Sequence, residues 1–159
     1  MAYYDSISPG YDELYGDEQL RKINSIKSGL KIEKNSRILD VGCGSGISSD
    51  FGCFAVGLDP SMGLLRKNKT GMKIMGAAES LPFKDNSFNY VISVTSMHNF
   101  YNLGRSLKEI SRVGKKYFVF SVLKKSVKFN EIKKSVEKNF RVYSIVEEGR
   151  DDIFFCTKP

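Results

Sequence analysis

The chain has 159 residues, 41% hydrophobic and 27% charged, which supplies one buried core and makes two folded domains a squeeze. No apolar run approaches the ~20 residues of a membrane span, and the opening MAYYDSISPGYDELYG is polar and acidic where a secretory leader would be basic and then apolar. Cys43, Cys53 and Cys156 form no Cys-x-x-Cys pair, so neither a disulfide framework nor a metal site is expected, and the reading is a cytoplasmic protein in a reducing compartment with no membrane association.

In chain order, the first predicted element is a helix over 18–30 (EQLRKINSIKSGL), with Leu20, Ile23, Ile26 and Leu30 on one face and Gly29 near its end. Strands are predicted at 37–41 (RILDV), 54–58 (FAVGL), 72–75 (MKIM) and 88–94 (FNYVISV). LGRSLKEISRVG aligns Leu103, Leu107, Ile110 and Val113 and stops at Gly114, the pattern of a helix with a C-terminal glycine. A strand at 117–123 (YFVFSVL) precedes a helix in NEIKKSVEKNF, capped by Asn130 and burying Ile132, Val136 and Phe140. The final strands, 141–146 and 152–156, are separated only by EEGRD, too short for a helical crossover, so they form an antiparallel hairpin. Alternating strands and helices otherwise imply a mostly parallel seven-stranded α/β sheet with helices on both faces.

The stretch ILDVGCGSG runs from the first strand into Gly42, Gly44 and Gly46. Glycines at a strand's carboxyl end let backbone N–H groups approach a ligand. A dinucleotide fingerprint would need a third glycine at position 47, where Ile47 stands. Asp40 precedes the loop, and a carboxylate there is costly unless used. Asp59 ends the second strand, where its two oxygens could accept from both hydroxyls of a ribose. The loop therefore reads as a nucleoside site.

ILDVGCGSG, VGLDPSMGLL and GAAESLPFKDNSFNYVIS, in that order and spacing, resemble the class I S-adenosylmethionine-dependent methyltransferases, in the branch of ubiquinone-biosynthesis, tRNA and small-molecule enzymes. The resemblance covers about Tyr3 to Val122 and implies one Rossmann-like domain over 1–159: an N-terminal lid and helix at 1–30 and a cofactor-binding core at 36–159. It implies S-adenosylmethionine as cofactor and S-adenosylhomocysteine as product. Gly42, Gly44 and Gly46 would lie against the methionine portion, with Asp40 helping to hold that region and its ammonium. Asp59, followed by Pro60, would bind the ribose diol, Met62 would pack on the adenine, and Ala78 and Glu79 would line its edge. Tyr11, in YYDSISPGYDEL, would close over the cofactor.

The chain departs from that family at Ala77, where relatives usually carry an aspartate for the adenine amino group, leaving Glu79 to compensate. It also departs in the short ISSDFGCFAVGL between Gly46 and Asp59, which predicts a stunted first crossover helix. These departures keep a non-catalytic binding protein, one half of a complex, as the alternative to an active methyltransferase.

His98, the only histidine, follows the fourth strand, where substrate enters such folds, and is read either as a general base or as a loop hydrogen-bonding group. Met62 reads equally as core, and Cys43 as a filler of a small-residue slot. The acceptor stays open between RNA, protein and small molecule, since SMHNF carries no Asn-Pro-Pro-Tyr-type motif and no paired-cysteine motif is present. From Arg105 to Arg141 basic residues far outnumber Glu109, Glu131 and Glu137, giving either an RNA-contacting surface or ordinary solvated faces. An activating partner protein is the remaining expectation.

Overall fold

The structure is a computed structural model that describes residues 2–46, 51–69 and 71–159, with side chains from residue 16 onward. Helix α1 (Ala2–Gly29) leads into β1 (Arg37–Val41) and β2 (Phe54–Asp59), followed by α2 (Met62–Lys67), β3 (Met72–Met75) and β4 (Phe88–Val94). A 3-10 turn at Met97–Asn99, α3 (Leu103–Val113), β5 (Gly114–Leu123), α4 (Phe129–Asn139), β6 (Arg141–Glu148) and β7 (Asp151–Thr157) complete the order. The strands form one seven-stranded sheet in the order β3-β2-β1-β4-β5-β7-β6. β1 to β5 pair in parallel, and β7 inserts antiparallel between β5 and β6. The expected fold class, parallel sheet and terminal hairpin are all present.

Alternation along the strands sorts the core into two layers, because successive side chains point to opposite faces. Leu39 and Val41 of β1 join Phe118 and Phe120 of β5 with Leu107 and Ile110 of α3 and Ile132 and Val136 of α4. On the other face Ile38, Ile92 and Val119 pack with Ile23 and Ile26 of α1 and with Phe155. Gly29 ends α1, and a Cβ there would lie 2.4 Å from the Phe155 ring.

Several local expectations need correction. Leu20 is 50% exposed, and the buried side of α1 instead carries Lys22 beside Ile23 and Ile26, so the face is rotated from the purely apolar one. Asn130 lies inside α4, whose N-cap is Lys128 without a side-chain cap bond; Ser126 Oγ instead accepts from Lys128 N at 3.2 Å. Gly114 does end α3, but with φ −88° it opens β5 rather than forming a left-handed stop. Its absent side chain serves space, since a Cβ would sit 2.4 Å from the Phe118 ring. The predicted lid is part of the continuous α1, and the Tyr11 side chain lies outside the described residues. In the first crossover, Phe51 to Cys53 are non-helical, while 47–50 lie outside the described residues.

Candidate functional site

Chain direction in the sheet diverges at β1, which has β2 on one side and β4 on the other. The crevice at the carboxyl ends of such strands is where open α/β sheets bind ligands. Gly42, Gly44 and Gly46 fill this position with φ of +81°, +55° and +89°, conformations that L side chains rarely adopt. Gly42 N and Cys43 N both donate to Leu58 O, at 2.7 and 3.1 Å, which turns the loop over the end of β2.

Each glycine has its own spatial reason. A Cβ on Gly42 would lie 2.4 Å from Ser96 Oγ, and one on Gly46 would lie 2.4 Å from Asn68 Oδ1. At Gly44 a Cβ would meet only Leu64 Cδ1, at 3.6 Å. The outer two glycines are thus demanded by space within the protein, while the middle one is demanded by its positive φ alone, since a Cβ there would make only an ordinary contact. Gly57 in β2 belongs to the same packing, because a Cβ there would stand 2.7 Å from Cys43 Sγ. Cys43 does fill a small slot: its sulfur is buried, accepts from Asn68 Nδ2 at 3.7 Å, and is held as a thiol because burial first, then the Asp40 and Asp59 charges, push its pKa far up.

Asp59 is buried at the end of β2. Its Oδ2 accepts from Gly44 N at 2.9 Å and its Oδ1 from Ser61 N at 2.8 Å, so one carboxylate ties the glycine loop to the start of α2. A carboxylate has about four acceptor sites, so these bonds are compatible with a further pair of hydroxyl donors. Asp40 is fully buried within β1, in register with Gly57 and Ile92. Pro60 is half-buried, and Met62, at the first turn of α2, is exposed, which removes it from the core.

Across the crevice, the loop after β3 carries Ala77, exposed, and Ala78, buried. α3 fastens this loop. Glu79 Oε1 accepts from Asn102 N at 2.9 Å, Glu109 Oε2 accepts from Leu81 N at 2.8 Å, and Arg112 donates to Leu81 O and Phe83 O. Glu79, the expected substitute for an aspartate at Ala77, therefore already has one oxygen on a backbone amide.

His98 sits in the 3-10 turn after β4, with Nε2 3.2 Å from Asn99 Nδ2 and its carbonyl accepting from Lys128 Nζ at 3.1 Å. Burial, opposed by Asp151 and aided by Lys128, lowers its pKa below the ordinary histidine value. It is therefore neutral at pH 7.

Sequence reasoning missed Ser96, Asn68 and Gly57, which shape the glycine loop, and also the buried Lys22. A glycine inside a strand pattern is a signal of close approach that could have found Gly57. Nothing in local pattern marks the others. Among the described residues no metal-holding cluster of His, Cys, Asp and Glu occurs, and no helix is long and apolar enough to cross a membrane.

Comparison with known proteins gives the family. A family model described as "Methyltransferase domain" matches residues 39–120, just over half of the chain. An uncharacterized protein of Methanocaldococcus jannaschii is 39% identical over 125 residues, covering 76% of this chain and 50% of its own length. The chain spans about half the length of the curated relatives it matches. Solved structures match it end to end. A chain of the complex between the Haloferax volcanii Trm112 methyltransferase activator and a candidate methyltransferase superposes with TM-score 0.82 at 16% identity, covering 98% and 97% of the two chains. A Thermotoga maritima SAM-dependent methyltransferase, described as a possible histamine N-methyltransferase, gives 0.79 at 20% identity over 100% of both. With its glycine loop, Asp59 and sheet order, the chain belongs to the methyltransferase-domain family and shares the fold of solved S-adenosylmethionine-dependent methyltransferases.

Proposed function

We propose that the chain transfers a methyl group from S-adenosylmethionine to an RNA or small-molecule acceptor. One observation carries this reading: three glycines with left-handed φ form a loop at the point where the sheet diverges, and a buried aspartate clasps the middle one. These residues fit the cofactor. Gly42 and Gly46 turn the loop against Ser96 and Asn68, and the backbone at Gly44 would lie against its methionine portion, with Asp40 at the end of β1. Asp59 offers acceptors for the ribose diol. Pro60, exposed Met62, Ala78 and Glu79 would supply the adenine walls, and Tyr11 is assigned to the cover by the family resemblance alone.

When bound, the cofactor supplies an activated methyl whose leaving group is a neutral thioether. The chain's own task is then mostly to position the acceptor, a contribution of up to ~7–11 kcal/mol in favourable cases. His98, whose pKa burial lowers below the ordinary histidine value, would take a proton from an acceptor nucleophile.

The test is calorimetric titration with S-adenosylmethionine and S-adenosylhomocysteine, followed by radiolabelled methyl transfer to fractionated RNA, protein and small molecules. Binding with label in one fraction is expected. Silence at millimolar cofactor would favour the alternative, a non-catalytic member of a complex. That alternative has its own observation: edge strand β3 exposes Met72 (56%) and Met75 (58%), one on each face of the sheet. A partner protein covering this edge, as an activator accompanies the Haloferax volcanii complex, would be needed for binding or for activity.

A further inference from the structure

The turn that leaves β4 is built on an improbable residue. Thr95 has φ +52°, and a β-branched side chain in the left-handed region is an outlier that persists only where its surroundings over-determine it. Those surroundings come from three other elements. Thr95 N donates to Ser121 O of β5 at 2.9 Å. The Thr95 hydroxyl donates to Asp151 Oδ2, at the start of β7, at 2.6 Å, and accepts from Lys22 Nζ of α1 at 3.0 Å. Ser121 Oγ donates a second 2.6 Å bond to the same carboxylate oxygen. Lys22 Nζ stands 3.1 Å from Asp151 Oδ1, with the two side chains 3% and 0% exposed. Glu18, one turn earlier on α1, flanks Lys22 at 3.5 Å and also accepts from Arg150 Nε at 3.1 Å.

The next residue is where this arrangement reaches the glycine loop. Ser96 Oγ donates to Val41 O at 3.1 Å, shares a 2.6 Å bond with Ser93 Oγ, and occupies the space a side chain on Gly42 would need. Two residues further on is His98. If Thr95 relaxed to an ordinary negative φ, the chain direction at Ser96 would change, and both the support under Gly42 and the placement of the His98 turn would be lost.

We propose that Thr95 is a positioning residue for methyl transfer: the buried Lys22–Asp151 pair holds it in its left-handed conformation, and this fixes the glycine loop and the His98 turn in one register. The proposal rests on the reading of the glycine loop as a cofactor site. It makes α1, β5 and β7, which reach the loop through Thr95 and Ser96, contributors to cofactor affinity.

Three substitutions separate this from a role in stability alone. Thr95→Ser keeps the hydroxyl, Thr95→Val keeps the branched shape without it, and Thr95→Gly removes both the hydroxyl and the strain. Each is titrated with S-adenosylhomocysteine, melted thermally, and followed by hydrogen exchange of the Gly42 to Gly46 amides without ligand. Thr95→Ser should bind within about twofold of wild type, since the bonds to Asp151 and Lys22 survive, whereas Val and Gly should each bind roughly tenfold more weakly. Thr95→Gly should melt no lower than Thr95→Val yet exchange its loop amides faster than wild type. Wild-type affinity in both Val and Gly, or affinity that simply follows melting temperature across the series, would overturn the proposal. Failure of the wild type to bind the nucleoside, with loop exchange still accelerated in Thr95→Gly, would instead sink the cofactor reading and leave the mechanical coupling standing.

Discussion

Asp59 does two jobs with one carboxylate: it clasps the loop through Gly44 N and Ser61 N, and it is the proposed acceptor for a diol. Asp59→Ala should weaken S-adenosylmethionine binding by ~1–3 kcal/mol through loss of a charged acceptor, read by calorimetry. Asp59→Asn should not rescue it, because an amide presents one oxygen and one NH2, and the NH2 would face either Gly44 N or Ser61 N, both donors. Affinity equal to wild type in both variants would remove Asp59 from the site. For His98 the sign of the pH effect is fixed by burial, which lowers its folded-state pKa below the ordinary value of 6.5. Between the folded-state value and 6.5 the unfolded chain binds more protons, so this group's contribution makes stability rise with pH through that window and fall on acidification. Melting temperature compared between about pH 5 and 8 should show a steeper acid-side loss in wild type than in His98→Asn; parallel curves would return His98 to an unburied, unperturbed role.

Among the elements, the central strands were legible because they are apolar, β-branched runs whose alternate residues face two covered layers, as Ile38 and Leu39 do on adjacent positions of β1. α3 was equally plain, with Leu107, Ile110 and Val113 all buried. The buried side of α1 was not, because amphipathic patterning assigns lysine to solvent, whereas Lys22 is buried against Asp151 and Thr95, both remote in sequence. The glycine loop showed its ligand-facing role in sequence, but Ser96 and Asn68 press against it from elements that local pattern cannot bring near. The β1–β2 pairing offers a direct test of such packing. Gly57→Ala would place a Cβ 2.7 Å from Cys43 Sγ, and overpacking of this kind costs ~1–3 kcal/mol. Removing the sulfur in Gly57→Ala/Cys43→Ala should recover part of that loss, since the Cys43 Cβ would still stand 3.0 Å from the new methyl. Denaturant melts of the two single variants and the double would show additive losses if the two side chains do not in fact share this space.

At the scale of the whole molecule, the fold divides a charge that sequence presents as one basic half. Lys115 and Lys116 stand near the start of β5, at the amino end of the parallel strands and away from the crevice. Arg112 is committed to Asp85 and Glu109, and Lys133, Lys134 and Lys138 lie along α4. Lys124, Lys125 and Lys128 lie in the connection from the carboxyl end of β5 to α4, on the side where His98 leaves β4, and Lys128 reaches the His98 carbonyl. Lys124 is paired with Glu147 at 2.9 Å, an exposed pair worth little on its own. If RNA is the acceptor, phosphates approaching the crevice meet this trio and not Lys115 or Lys116. Reversing Lys124, Lys125 and Lys128 to glutamate should therefore weaken binding to total tRNA and flatten its salt dependence by about 0.7–0.9 log units per log unit of salt for each phosphate no longer neutralised. Cofactor affinity should be unchanged, because none of the three supports the glycine loop. Lys115→Glu/Lys116→Glu is the control: it reverses two charges, where the trio reverses three, at the far end of the strands and should leave both measurements near wild type. Equal loss in the two sets would mean that RNA responds to net charge alone, and salt-independent or absent binding in the wild type would move a small-molecule acceptor to the front.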